Sequence, residues 1–119
     1  MYRNFSENEK IALIGIIERV VYADNEFKQQ EKKLIDSYLK ENGIIDIEHL
    51  KNLYYKKYVS DKKFKKLLRY VSQEHYRKFI DIILRISVSD KDINAEELQI
   101  IDFLCKTWNV KRGILMDHH

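Results

Sequence analysis

Three features of this 119-residue chain predict an all-α fold. It contains no Pro and three Gly, so it lacks the turn chemistry that sandwiches and barrels need between frequent short strands. Its apolar residues recur at helical spacing in segment after segment. An acidic loop between two helical runs occurs twice: Asp24-Asn25-Glu26-Phe27-Lys28-Gln29-Gln30-Glu31 returns as Asp90-Lys91-Asp92-Ile93-Asn94-Ala95-Glu96-Glu97. Each copy reads acid, any residue, acid, large apolar residue, with a last acid seven positions after the first. The expected architecture is a helical bundle of two pseudo-symmetric helix-loop-helix halves, about 7–43 and 73–108, joined by a middle helix pair over 44–72 in a single domain spanning 1–119.

Each element has a local cause. Ser6-Glu7-Asn8-Glu9 has the spacing of a capping box and starts a helix near residue 7. Ile11, Leu13, Ile14, Ile17, Val20 and Val21 follow, with Ala12, Gly15 and Ile16 between them. A helix apolar over so much of its circumference belongs in the centre of a bundle. After the first loop, Leu34, Ile35 and Leu39 carry a second helix, which Asn42-Gly43 stops with a left-handed residue. Asp46 is placed to cap a third helix bearing Ile47, Leu50, Leu53 and Tyr54, and Ser60 a fourth bearing Phe64, Leu67, Leu68 and Val71. Ser72 opens a fifth, with Phe79, Ile80, Ile83, Leu84 and Ile86 toward the core. The second loop leads to a sixth, with Ile100, Ile101 and Leu104, and a tail through Trp108, Val110 and Ile114. Displacement by 66 positions sets Phe79 on Leu13, Ile80 on Ile14, Ile83 on Ile17, Ile86 on Val20, Ile101 on Ile35 and Asp102 on Asp36. Coincidence is a poor explanation for that many matches in one register.

Composition excludes several classes. A single Cys rules out an internal disulfide, and no cysteine cluster suggests structural zinc. The stretch Met1 to Glu9 is polar and charged, unlike a secretory signal, and the apolar run Ile11 to Ile17 is too short to span a bilayer. A cytoplasmic location is expected, with peripheral contact at the inner membrane face left open.

The repeated loops are the candidate site. Asp24, Glu26 and Glu31 in the first copy, and Asp90, Asp92 and Glu97 in the second, are hard oxygen donors suited to calcium, magnesium or manganese. The pattern looks like the later part of an EF-hand loop, but the upstream ligand positions hold Val20 and Tyr22, or Ile86 and Val88, which excludes a true EF-hand. Three carboxylates with loop carbonyls and water would hold a cation more weakly than a full cage. A purely structural alternative exists for the second copy: Asn94 to Glu97 has capping-box spacing and Asp90 suits an Asx-turn. Lys28 cannot play the capping part in the first, so Glu31 lacks that explanation.

Ala23-Asp24-Asn25-Glu26-Phe27 with Glu31, and Ser89-Asp90-Lys91-Asp92-Ile93 with Glu97, resemble the twin Ala-Asp-Gly-x-apolar-x-x-x-Glu motifs of TerB-like proteins. That tellurite-resistance family has a fold found also in the N-terminal part of a membrane-anchored J-domain protein. The resemblance covers about the whole chain in helix order and motif spacing. It implies an all-helical bundle, a bacterial stress-response context, a protein partner in a stress-response or membrane-associated assembly, and divalent metal at Asp24, Glu31, Asp90 and Glu97. The chain departs from the pattern at Asn25 and Lys91, where Gly is expected. Asn tolerates a left-handed backbone; Lys does so less readily.

A basic block opposes the acidic loops. From Lys51 to Tyr70 eight cations face only Asp61, a net of +7, while 24–48 carries −3 and 81–102 carries −4. Lys56, Lys57, Lys62, Lys63, Lys65, Lys66 and Arg69, interleaved with Tyr54, Tyr55, Tyr58, Phe64 and Tyr70, form a basic face able to meet phosphates or an anionic surface. The ordinary alternative is that lysines line the wet sides of two helices while tyrosines shield the core. No familiar nucleic-acid motif is present, and nucleic acid is not the expected partner. No nucleophile setting surrounds His49, His75 or Cys105, and there is no Gly-rich phosphate loop. The expectation is a non-enzymatic domain that binds divalent cations through its loops; the rivals are a scaffold whose acidic face meets a basic protein segment without metal, and a phosphate-binding module using Lys51 to Arg69.

Overall fold

A computed structural model describes residues 5–23, 29–88 and 95–110, with the side chains of 21–23, 29–31, 34, 87–88 and 95–97 left aside. The described chain is all helical: α1 (Glu7–Ala23), α2 (Gln29–Glu41), α3 (Ile47–Lys57), α4 (Asp61–Leu68), a short 3₁₀ turn (Gln73–His75), α5 (Tyr76–Val88) and α6 (Ala95–Thr107). None of these helices is long and apolar enough to cross a membrane.

Helix α1 forms where its capping box places it. The Glu9 N–H donates to Ser6 Oγ at 3.1 Å and the Ser6 N–H donates to Glu9 Oε1 at 2.9 Å, so each residue satisfies a backbone donor of the other. From Ile11 to Ile17 every residue is buried, as expected of a central helix, and α1 packs against α3, α4, α5 and α6. Gly15 lets α3 and α4 approach. A Cβ built there would lie 2.6 Å from Tyr54 Cε1, 2.7 Å from Tyr54 Cδ1 and 3.4 Å from Phe64 Cε1.

The other ends show what the sequence specifies well and where it is silent. Ser60 caps α4 by accepting the Lys63 N–H at 3.3 Å. Asp46 occupies the position before α3 but makes no side-chain capping bond. Ser72 does not cap α5 either: it precedes the 3₁₀ turn, without a side-chain cap bond, and its N–H serves another acceptor described below. Helix α2 ends in a Schellman motif, with Gly43 at φ 83°, Ile44 N–H bonded to Leu39 O at 2.9 Å and Gly43 N–H to Lys40 O at 3.0 Å. Helix α6 ends the same way, with Asn109 at φ 54° and Val110 N–H bonded to Cys105 O at 2.8 Å. Asn109 stands 66 positions after Gly43, and α6 begins and ends 66 positions after α2.

Trp108 belongs to the core rather than to a tail. Its Nε1–H donates to Leu68 O at 3.1 Å, answering a carbonyl at the end of α4, and its ring stacks on Tyr76 at 4.9 Å with an interplanar angle of 4°. The last turns of α4 and α6 are thereby held to the first turn of α5.

Gly15→Ala is expected to lower stability. The gain in helix propensity is about 0.5–1 kcal/mol, whereas overpacking a filled core costs about 1–3 kcal/mol. The Tyr54 ring cannot swing clear, because it is buried and Arg19 Nε–H donates to its hydroxyl at 3.1 Å. Thermal melting should show a lower midpoint; an unchanged or higher one would mean the ring yields freely.

Candidate functional site

The two acidic loops are left by helices of matched register. Helices α1 and α5 end at Ala23 and Val88, and α2 and α6 begin at Gln29 and Ala95. Asp24, Glu26, Asp90 and Asp92 lie outside the described residues, as do Phe27 and Ile93. Glu31 and Glu97 each fall on the third residue of α2 and α6; their side chains are outside the description too. Among the described residues no group of three or more His, Cys, Asp or Glu is placed to hold a metal ion.

The basic face is a real feature of the surface. Lys56, Lys57, Lys62, Lys63, Lys65, Lys66 and Arg69 are all exposed. They occupy the last turn of α3 and the outer side of α4, whose Phe64, Leu67 and Leu68 turn inward. None of the seven makes an ion pair with a described carboxylate. The interleaved aromatics divide: Tyr54 and Phe64 are core residues, whereas Tyr55 and Tyr70 are exposed, at 38% and 56%. Shielding of the core therefore accounts for only part of the aromatic pattern.

Two constellations were not foreseen from the sequence. The first surrounds Glu9, which is 4% exposed. Its carboxylate accepts the Ser6 N–H through Oε1 at 2.9 Å, and through Oε2 both the Ser72 N–H at 2.9 Å and His75 Nδ1–H at 2.5 Å. Burial alone would raise its pKa; the His75 hydrogen bond and the two backbone N–H groups outweigh that cost and hold the carboxyl below its usual value. His75 is itself buried, with Phe5 edge-on to its ring at 4.7 Å and Glu74 Oε1 3.7 Å from Nε2. It is neither a surface residue nor a helix-face histidine. A signal was present: Ser72 and His75 stand 66 positions after Ser6 and Glu9, so the two polar pairs share one place in the repeated register.

The second constellation centres on Arg19. Its Nε–H donates to Tyr54 Oη at 3.1 Å, Nη1–H to Asp61 Oδ1 at 3.1 Å and Nη2–H to Val59 O at 3.0 Å, and the guanidinium lies 4.0 Å from the Phe64 ring centroid. The planar fork thus joins α1 to the α3–α4 connection. On either side of the Arg19–Asp61 pair opens a hollow. One, of about 390 Å³, is bounded by Phe64, Lys65, Gln99, Ile100 and Phe103; the other, of about 460 Å³, by Glu18, Tyr54, Tyr55, Val59 and Ile100. Glu18-Arg19, a charged pair inside an otherwise apolar helix, was the available clue.

Compared with protein-family models, residues 10–115 match the family described as tellurite resistance protein TerB. Among curated proteins and solved structures none matches.

The Glu9 node makes stability depend on acid. A carboxyl whose folded-state pKa is lowered contributes stability that is fully present above the unfolded value, 4.5, and is lost as pH falls through the lower folded value. Glu9→Gln removes that dependence and also leaves backbone donors short of acceptors, each worth roughly 1–3 kcal/mol when buried. Denaturant unfolding across a pH series should show the variant less stable at neutral pH, with the gap narrowing below pH 4.5. A gap that stays constant on acidification would show that the charge on Glu9 does not matter.

Proposed function

The chain belongs to the TerB family of tellurite-resistance proteins, and from that premise we propose that it is a non-enzymatic stress-response domain that binds divalent cations through its two acidic loops. The observation that carries this reading is the matched register of the loop exits: α2 and α6 span Gln29–Glu41 and Ala95–Thr107, which puts Glu31 and Glu97 at the same position of equal helices. We read the two halves as related by a pseudo-twofold, which would bring both loops to one side of the molecule. Asp24, Glu26 and Glu31, and Asp90, Asp92 and Glu97, would then supply oxygen ligands to calcium, magnesium or manganese, with loop carbonyls and water filling the shell.

The non-enzymatic part has support in the chemistry of the described groups. Cys105 is buried, and the close acid–base pair of Glu9 and His75 is enclosed and spent on backbone donors. A protein partner in a stress-response assembly on the cytoplasmic side, free or at the membrane face, fits the family. The exposed cations of α3 and α4 favour one second reading, an anionic surface or phosphate held by Lys56, Lys57, Lys63 and Lys66.

The cation reading is tested by melting. An ion present at one hundred times its dissociation constant, and bound only by the folded loops, adds about 2.7 kcal/mol. For a domain of this size that raises the midpoint by roughly 8–16 °C. Asp24→Asn with Glu31→Gln should remove most of the shift while slightly stabilising the ion-free protein, because crowded carboxylates repel. If millimolar calcium, magnesium and manganese act no differently from sodium chloride of equal ionic strength, the acidic loops are a protein-contact surface and not a cation site.

A further inference from the structure

Arg19 divides a trench between α1, α4 and α6 into two compartments with different floors. One is floored by Phe64, Ile100 and Phe103, the other by Tyr55, Val59 and Ile100, and the Arg19–Asp61 pair forms the wall they share. Val59 is 51% exposed and Tyr55 38%, so the second compartment offers apolar surface to solvent. All three guanidinium nitrogens of Arg19 donate, and the guanidinium carbon lies 4.0 Å from the Phe64 ring centroid. Two neighbouring hollows that share Arg19, Asp61 and Ile100 suit a chain segment presenting successive side chains better than one small molecule.

The rim is two-sided: Glu18 and the Arg19–Asp61 pair border the second compartment, and the α4 side of the first is cationic. Lys65 borders the first compartment, and its Nζ lies 5.8 Å from the Phe103 centroid without a carboxylate partner among the described residues. Lys62 and Arg69 are three residues before and four after it, its neighbours on the helix surface, and they too lack a described carboxylate partner. A row of like cations beside an apolar floor repels itself until an anion arrives. We propose that this trench is a docking site for an acidic amphipathic helix of a partner protein, with one apolar anchor in each compartment and carboxylates lying against Lys62, Lys65 and Arg69. This is the helix-in-groove mode of recognition, in which apolar anchors give affinity and the flanking charges give orientation and encounter rate. The proposal does not call on cation binding, and a chelating buffer keeps any bound ion out of the outcome.

The experiment is selection of short random peptides displayed on phage against the intact chain in a chelating buffer, followed by nitrogen–proton correlation spectra with the enriched peptides. Enriched sequences should carry two apolar residues on one helical face with acids beside them, and should shift the amides around Val59, Lys65 and Phe103. Lys62→Glu with Lys65→Glu should weaken binding by about tenfold or more, and Val59→Asp by a similar factor, with melting midpoints unchanged since all three side chains are exposed. A peptide with the same composition but its apolar residues scattered should not bind. The proposal fails if enriched peptides show no acidic bias, if the scattered control binds as well, or if no selected peptide shifts the trench amides. It fails equally if vesicles containing anionic lipid, or a second copy of the chain in a concentration series, produce the same shifts and displace the peptide.

Discussion

Glu9 carries a charge to a place nearly closed to water, and a buried charge is tolerated only where several donors surround it. Three donors meet that condition here, the backbone N–H groups of Ser6 and Ser72 and the imidazole of His75, while the Glu9 N–H is in turn accepted by Ser6 Oγ at the start of α1. One of these donors stands at the entry of α1 and two at the 3₁₀ turn that leads into α5. One carboxylate therefore does for both helix starts what separate caps do elsewhere. Ser72, an ordinary capping residue by type, makes no side-chain capping bond: the His75 N–H goes to the Ser72 carbonyl instead, and the Ser72 N–H is tied to Glu9.

From that anchored start α1 runs through the middle of the bundle, and its sequence is organised by what surrounds it at each level. Near the start it is fixed by the Glu9 node. In the middle it must be smooth, and Gly15 allows Tyr54 to lie closer than any Cβ would permit. Near the end it becomes polar again at Arg19, whose guanidinium satisfies the Tyr54 hydroxyl and the Val59 carbonyl together. The Arg19–Asp61 pair itself contributes little energy, since Asp61 is largely in water. Its consequence is geometric: it joins the α3–α4 connection to α1 and stands between the two hollows that border it.

The charge distribution follows the same division of labour. Helix α4 is short and strongly two-sided, with Phe64, Leu67 and Leu68 supplying the core and lysines filling the outer turns. Its ends are secured by Ser60 at one side and by the Trp108 indole at the other. A helix of eight residues has little stability of its own, so these tertiary bonds are what keep a repulsive row of cations in a fixed array. The basic surface is thus a property of packing as much as of composition.

The sequence by itself determined the helices, their order and most of their core. Local signals suffice for that: the Ser6–Glu9 box, the Ser60 cap, the Gly43 stop and the apolar spacing of α4 all act within a few residues and appear in the structure as read, whereas α5 buries Ile82, which the reading omitted, and leaves Leu84 and Ile86 only partly covered. The matched loop exits and the second Schellman turn at Asn109 follow the same 66-residue displacement that the acidic motifs share. Only the tertiary structure decided the partners of isolated polar residues, because those are chosen across distances no local pattern encodes. Glu9 meets His75 over 66 positions, Arg19 meets Asp61 over 42, and Trp108 meets Leu68 over 40. Asp46 shows the converse, a residue of capping type in capping position that makes no bond. A side chain's chemistry limits what it can bind, but which partner it finds is settled only when the helices pack.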